Sequence, residues 1–295
     1  MMSFPASAQW QVGGRVIGHR NPGNDRLAVA HVGNASTVVA WNGAVSPGFD
    51  YDVVAQLVDS AGYDRWPAGG LVVYSDDGIT QRYPAVLPDG NGGAFVAWTD
   101  WRNSPVAAIY GQHIDSSGNF LWDPQGVRLT FSDSVSHRKP QLLPDGFGGI
   151  IAVYYVTPIV WSVTLNLGAQ RIDGEGVIRW DSAGILLTIP AARADEPKTV
   201  QVDDTSFVTL WLDWRFELHP EPDSQAYGMD LYMQRFDISG NIHWGQGGAP
   251  AVHDYYDQGN LEYGHDLVPD GVGGCVTVWV DWRHIGYNTI LYADR

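Results

Sequence analysis

Apolar residues in this chain come in short runs bounded by glycine and aspartate. GAFVAWTD (93–100) and GGCVTVWV (273–280) are typical, and in each an aromatic residue falls near the end. No window carries the three- and four-residue spacing of a long amphipathic helix, and no run is long enough to span a bilayer. Runs rich in valine, alanine and aromatics, separated by Asp-Gly and Gly-Gly steps, predict strands joined by tight hairpins.

The runs repeat. Trp41, Trp98, Tyr154, Trp211 and Trp279 close successive runs at nearly constant spacing, with a longer last interval that holds insertions. Between them, LVDSAGYDRW (57–66), HIDSSGNFLW (113–122), RIDGEGVIRW (171–180) and RFDISGNIHW (235–244) share Asp-x-x-Gly-x-x-x-Trp, and a glycine follows each Trp four residues on. Trp10 and Gly14 form a fifth copy of that last spacing. A third landmark is the turn LPDGNGG (87–93), LPDGFGG (143–149) and VPDGVGG (268–274), replaced elsewhere by VGNAS (32–36) and VDDTS (202–206). In the second unit YPAVLP (83–88), GAFVAWTD (93–100), residues 108–114 and FLWDPQGVRLT (120–130) read as strands A to D.

Four antiparallel strands repeated five times predict an all-β chain, a single five-bladed β-propeller. The units fall at about 24–82, 83–138, 139–195, 196–263 and 264–295. The last stops after strand C, so QWQVGGRVIGH (9–19) is expected to supply its strand D and close the ring.

This repeat and its closure resemble secreted bacterial β-propellers built from Gly-Gly-turn repeats, which implies fold and export. The Asp-x-x-Gly-x-x-x-Trp hairpin is similar to the Asp-box of sialidase-type propellers, Ser-x-Asp-x-Gly-x-x-Trp, with each interval one residue longer. Five-bladed propellers include tachylectin-type lectins and several glycoside hydrolase families, so the resemblance leaves binding and hydrolysis both open.

Charge narrows the partners. Net charge is −16, with 33 acidic against 17 basic residues, and only Lys139 and Lys198 are lysines. Such a surface repels phosphate backbones and disfavours nucleic acid; it suits a glycan, a protein surface or a cation. The one cysteine, Cys275, lies in an apolar run and reads as a buried small hydrophobe. Ala6-Ser7-Ala8 has the small-x-small form of a signal-peptidase site, without the preceding basic and apolar regions, and motivates an extracellular or cell-surface expectation. No Gly-rich loop opens a helix and no Gly-x-Ser-x-Gly elbow occurs, so no cofactor is expected.

In a propeller the D–A and B–C loops share the face on which ligands meet the axis. Three B–C loops begin with Trp-x-Asp-Trp-Arg, placing Asp100/Arg102, Asp213/Arg215 and Asp281/Arg283 there as ligand-binding candidates. Their repetition favours a structural joint, since chemistry at one axis needs one acid and one nucleophile. Asp25, Glu196 and Asp266, each near the start of an inner strand, are the catalytic candidates for a pair of carboxylates. Two insertions, 216–230 and 252–263, add Tyr227, Tyr255 and Tyr256 as sugar-stacking candidates and Asp223, Asp230, Asp254 and Asp257 as oxygen ligands suited to Ca²⁺. Trp161 marks an apolar B–C loop in the third unit.

The leading expectation is an extracellular, non-enzymatic binding or scaffold propeller. A glycoside hydrolase with its acids at the channel mouth is the first alternative. A self-assembling unit, a homo-oligomer built by exchange of strand 9–19, is the second.

Overall fold

The aspartate of each Asp-x-x-Gly hairpin folds its own turn. Asp115 Oδ1 accepts the N–H groups of Ser117 and Asn119, both at 2.8 Å, and Asp59, Asp173 and Asp237 repeat the pattern. The Pro-Asp-Gly turns use the same device at Asp89, Asp145 and Asp270. A short carboxylate that takes two backbone donors replaces the ladder bonds a turn gives up.

The computed structural model describes residues 14, 16–17, 27–43, 51–159, 165–189, 193–214, 230–252, 264–281 and 290–295. These form five antiparallel sheets and no helix. Blade one is β1 (Ala28–Gly33), β2 (Ser36–Gly43), β3 (Asp52–Asp59) and β4 (Leu71–Tyr74). Blade two is β5 (Gln81–Pro88), β6 (Ala94–Asp100), β7 (Ala108–Ile114) and β8 (Val127–Arg128). Blade three is β9 (Val135–Pro144), β10 (Ile150–Pro158), β11 (Asn166–Ile172) and β12 (Ile185–Leu186). Blade four is β13 (Ala194–Gln201), β14 (Ser206–Asp213), β15 (Asp230–Asp237) and β16 (Ala249–Val252). Blade five holds β17 (His265–Pro269), β18 (Cys275–Asp281) and β19 (Ile290–Asp294). The protein is a five-bladed β-propeller. The strand expected over 9–19 lies outside the described residues, apart from Gly14, Val16 and Ile17.

Strand D is much shorter than the sequence suggests. Of residues 120–130 only Val127–Arg128 are strand, with Phe120 held by a lone bridge to Ile114. The cause is a turn at Asp123: its carbonyl accepts Gly126 N–H at 2.8 Å and its carboxylate accepts Gln125 N–H at 2.8 Å. Gly126 is required there, because a Cβ would sit 2.8 Å from the Trp98 ring.

The apolar core lies between blades. Four clusters join successive sheets, around Trp98 and Trp66, Trp122 and Tyr154, Trp211 and Phe207, and Trp279 with Leu210. The hairpin Trp residues stitch the same seams: Trp122 Nε1 donates to Gly174 O at 2.8 Å and Trp180 Nε1 to Ile238 O at 3.0 Å, each in the next blade. Cys275 is buried, and burial raises its thiol pKa.

Candidate functional site

Three of the innermost strands carry a defect at the same place. Tyr83, Lys139 and Glu196 have φ of 56°, 53° and 48°, and each precedes a proline. The ladder register slips there in β5, β9 and β13, which makes each a bulge. Blade five puts Gly264, φ 72°, at the matching position. A non-glycine residue in the left-handed region ahead of proline is strained, and it persists only where its surroundings hold it.

The preceding blade supplies the hold. The N–H of Tyr83 donates to Asn42 Oδ1 at 3.3 Å, that of Lys139 to Thr99 Oγ1 at 2.9 Å, and that of Glu196 to the Tyr155 hydroxyl at 3.0 Å. All three acceptors occupy one position, the residue after the landmark aromatic (Trp41, Trp98, Tyr154) in strand B. A bulge re-aims its side chain, and here the three side chains turn to the axis.

They meet in a cavity of about 630 Å³ at the channel mouth, lined by residues 27–29 at the start of β1 and by residues 83–86, 139–142 and 195–198 within β5, β9 and β13. Its polar side chains include Tyr83, Lys139, Tyr155, Asp195, Glu196 and Lys198. Both lysines of the chain are therefore in this one place. Lys139 Nζ stands 5.5 Å from the Tyr83 ring centre and 5.3 Å from that of Tyr155. Asp195 Oδ1 accepts the Tyr155 hydroxyl at 2.8 Å and Glu196 N–H at 2.9 Å, which fixes its plane. The Glu196 carboxylate makes no hydrogen bond or ion pair among the described residues, so it is available to a ligand. Glu196 and Asp195 thus share a cavity, whereas Asp266 is exposed on β17 and does not line it. Asp25 lies outside the described residues. Counted back from β1 it holds the repeat position that Asp195 holds before Lys198.

The Trp-x-Asp-Trp-Arg segment is a tightly bonded joint. Asp100 is fully buried, accepting Trp98 Nε1 at 2.8 Å, Arg102 N–H at 2.8 Å and Arg102 Nη2 at 2.7 Å. The Arg102 guanidinium lies between the Tyr74 and Tyr110 rings, 3.7 and 3.8 Å from their centres, and ties blade two to blade one. Burial pushes the Tyr74 hydroxyl up to about 12. Trp211 Nε1 donates to Asp213 at 2.8 Å in the same way. Asp281 ends β18 opposite Ile290. Arg215, Arg283, Tyr227, Tyr255, Tyr256, Trp161, Asp223, Asp254 and Asp257 lie outside the described residues. Asp230 is buried at the start of β15, opposite Asp213. Among the described residues no group of three or more His, Cys, Asp or Glu could hold a metal ion.

Two histidines line the seams beneath the mouth. Burial, with a smaller contribution from the Arg128 charge, holds His137 down at about 4; burial likewise holds His265 at about 4, against its hydrogen bond to Glu196 O at 2.9 Å. Unfolded, both titrate near 6.5, so between these values the unfolded chain binds more protons. Stability is therefore whole above pH 6.5 and falls as pH drops towards 4. His137→Gln, which installs the residue that blade two has as Gln81, is expected to remove about 3 kcal/mol of that acid loss. Urea midpoints measured between pH 4 and 7 check it; an unchanged acid slope in the variant refutes the assignment.

No protein-family model matches the chain, and no curated protein is similar to it in sequence. Solved structures do match. The α-L-arabinanase of Penicillium chrysogenum, complexed with arabinobiose, aligns with TM-score 0.54 and 12% identity, over 89% of this chain and 78% of that one. An α-L-arabinofuranosidase of Fusarium graminearum, in complex with an iminosugar inhibitor, aligns with TM-score 0.55 and 11% identity, over 94% and 82%. At this identity the likeness establishes the fold. It also corrects the leading expectation of a non-enzymatic binding or scaffold propeller, since these propellers are named as carbohydrate-cleaving enzymes. What is shared with these structures is the five-bladed propeller; no match to Gly-Gly-turn repeat proteins accompanies it.

Proposed function

We propose that this protein is a glycoside hydrolase acting at the mouth of its central channel. One observation carries the reading: bulges on successive inner strands aim side chains into one cavity, where a fixed carboxylate, Asp195, sits beside an unpartnered one, Glu196. Hydrolysis of a glycosidic bond needs two carboxyl groups, one to protonate the leaving oxygen and one to act as nucleophile or to activate water. Asp195, oriented by Tyr155 and by the backbone, suits the second task. Glu196, with no competing partner, suits the first. Tyr83 and Tyr155 offer ring faces to a sugar, and Lys139 between them offers donors to its hydroxyl groups.

The fold neighbours make an arabinofuranose-containing glycan the first substrate to try. Among the described residues no helix is long and apolar enough to cross a membrane, and a polymeric glycan is met outside the cell, which fits extracellular action. The test is release of reducing sugar from a panel of arabinan, arabinofuranosides and xylan. Turnover on at least one, abolished by Asp195→Asn, supports the proposal. No release from any, by protein whose thermal unfolding is cooperative, refutes it.

A further inference from the structure

Beside the channel mouth, between blades two and three, lies a second cavity of about 540 Å³ that shares Tyr83 with the first. Its charged lining among the described residues is Arg82, Arg102 and Arg138, with no carboxylate. Three cations facing one cavity are unexpected in a chain of net charge −16. They are placed by the repeat: Arg82 and Arg138 hold, in blades two and three, the position that Asp195 holds in blade four, immediately before the left-handed bulge residue. The position ahead of the bulge is thus basic in blades two and three and acidic in blade four.

The guanidinium groups are rigidly presented. Arg102 is clamped between two tyrosine rings and anchored by Asp100 and by Gln125 O at 2.8 Å. Arg138 lies over Trp101, 5.5 Å from its ring centre, and makes no ion pair among the described residues. The Nε atoms of Arg102 and Arg138 are buried without an acceptor. Arg138, a planar cation that lines the cavity and has no ion pair among the described residues, matches carboxylate geometry and makes a site that an anion completes. Arg102 is already answered by Asp100, so the charge that a neutral sugar would leave unanswered is that of Arg138.

We propose that this cavity receives the carboxylate of an acidic sugar, so that the preferred glycan carries a uronic acid adjoining the residue at the channel mouth. The inference rests on the glycan-hydrolase reading for its biological sense, but binding can be read without turnover. Calorimetric titration of the full chain with a short oligogalacturonate, its methyl ester and inorganic phosphate tests it. The acid is expected to bind about tenfold or more tightly than the ester, to weaken as salt is raised, and to lose its advantage in Arg138→Gln. Equal affinity for acid and ester in the wild-type chain overturns the proposal without reference to any variant. So does binding of phosphate without the oligogalacturonate, which would mark a site for small free anions. An inactive chain that still prefers the acid keeps this proposal and discards the hydrolase; arabinose release with no preference for acid does the reverse.

Discussion

Asp195→Asn is expected to lower turnover on an arabinofuranosyl substrate by about 10³-fold, within the 10²–10⁴ typical of a lost acid–base group, while leaving KM within a few-fold. The amide keeps the volume and can still accept from the Tyr155 hydroxyl and from Glu196 N–H through its oxygen, so the bulge is expected to survive. What it loses is the charge that a nucleophile or base needs. Glu196→Gln removes the proton donor, so its deficit is expected to shrink on substrates with activated leaving groups, whereas that of Asp195→Asn persists. Tyr155→Phe removes one orienting bond and is expected to cost about tenfold in kcat, as a positioning residue would. Steady-state kinetics on aryl and natural arabinosides, with thermal midpoints measured in parallel, separate these effects from misfolding. Asp195→Asn retaining turnover within about tenfold of wild type would sink the assignment.

Architecture was readable because the devices that build it recur. The hairpin aspartates, the PDG turns and the seam-filling Trp residues each occupy fixed repeat positions, and each has a local mechanism. A further recurring device went unread. Gln56, Gln112 and Gln234 each accept a backbone N–H from the hairpin Trp while donating to a nearby carbonyl, and Gln170 donates to the equivalent carbonyl, Asp181 O, while accepting Arg171 N–H. A lone glutamine in a strand carries no pattern until the partners are known.

The site was half legible. Glu196 was picked out by its place at the start of an inner strand. Asp195 is not legible as its partner from the sequence, because neighbouring residues on a regular strand point to opposite faces. The bulge breaks that rule, and its sequence signal was present in Tyr83-Pro84, Lys139-Pro140 and Glu196-Pro197, three X-Pro pairs at one repeat position. The arginine cavity could not be read at all. Arg82 and Arg138 come from adjacent blades and Arg102 from a loop, and only the ring brings them together.

The largest stability effect is expected at the repeated Trp-x-Asp-Trp-Arg joint. Asp100→Ala removes the acceptor of a buried indole N–H and the counter-charge of a guanidinium held between two rings. Removing one partner of a buried ion pair costs about 3–5 kcal/mol, because the other charge stays behind without compensation. That is a large share of the 5–15 kcal/mol that holds a typical domain. Asp100→Asn keeps an acceptor for Trp98 and is expected to cost less. Blade three shows why the joint is dispensable as a set but not in part. It has Tyr154 for the Trp and Val156 for the Asp, so no charge is left stranded there, and the buried group of that joint without a partner among the described residues is the neutral Tyr154 hydroxyl. Trp98→Tyr with Asp100→Val and Arg102→Met, made together, is therefore expected to be less destabilising than Asp100→Ala alone. Urea denaturation of the three variants checks the order. If the triple variant is the weakest, the energy lies in the joint itself rather than in avoiding its unpaired halves.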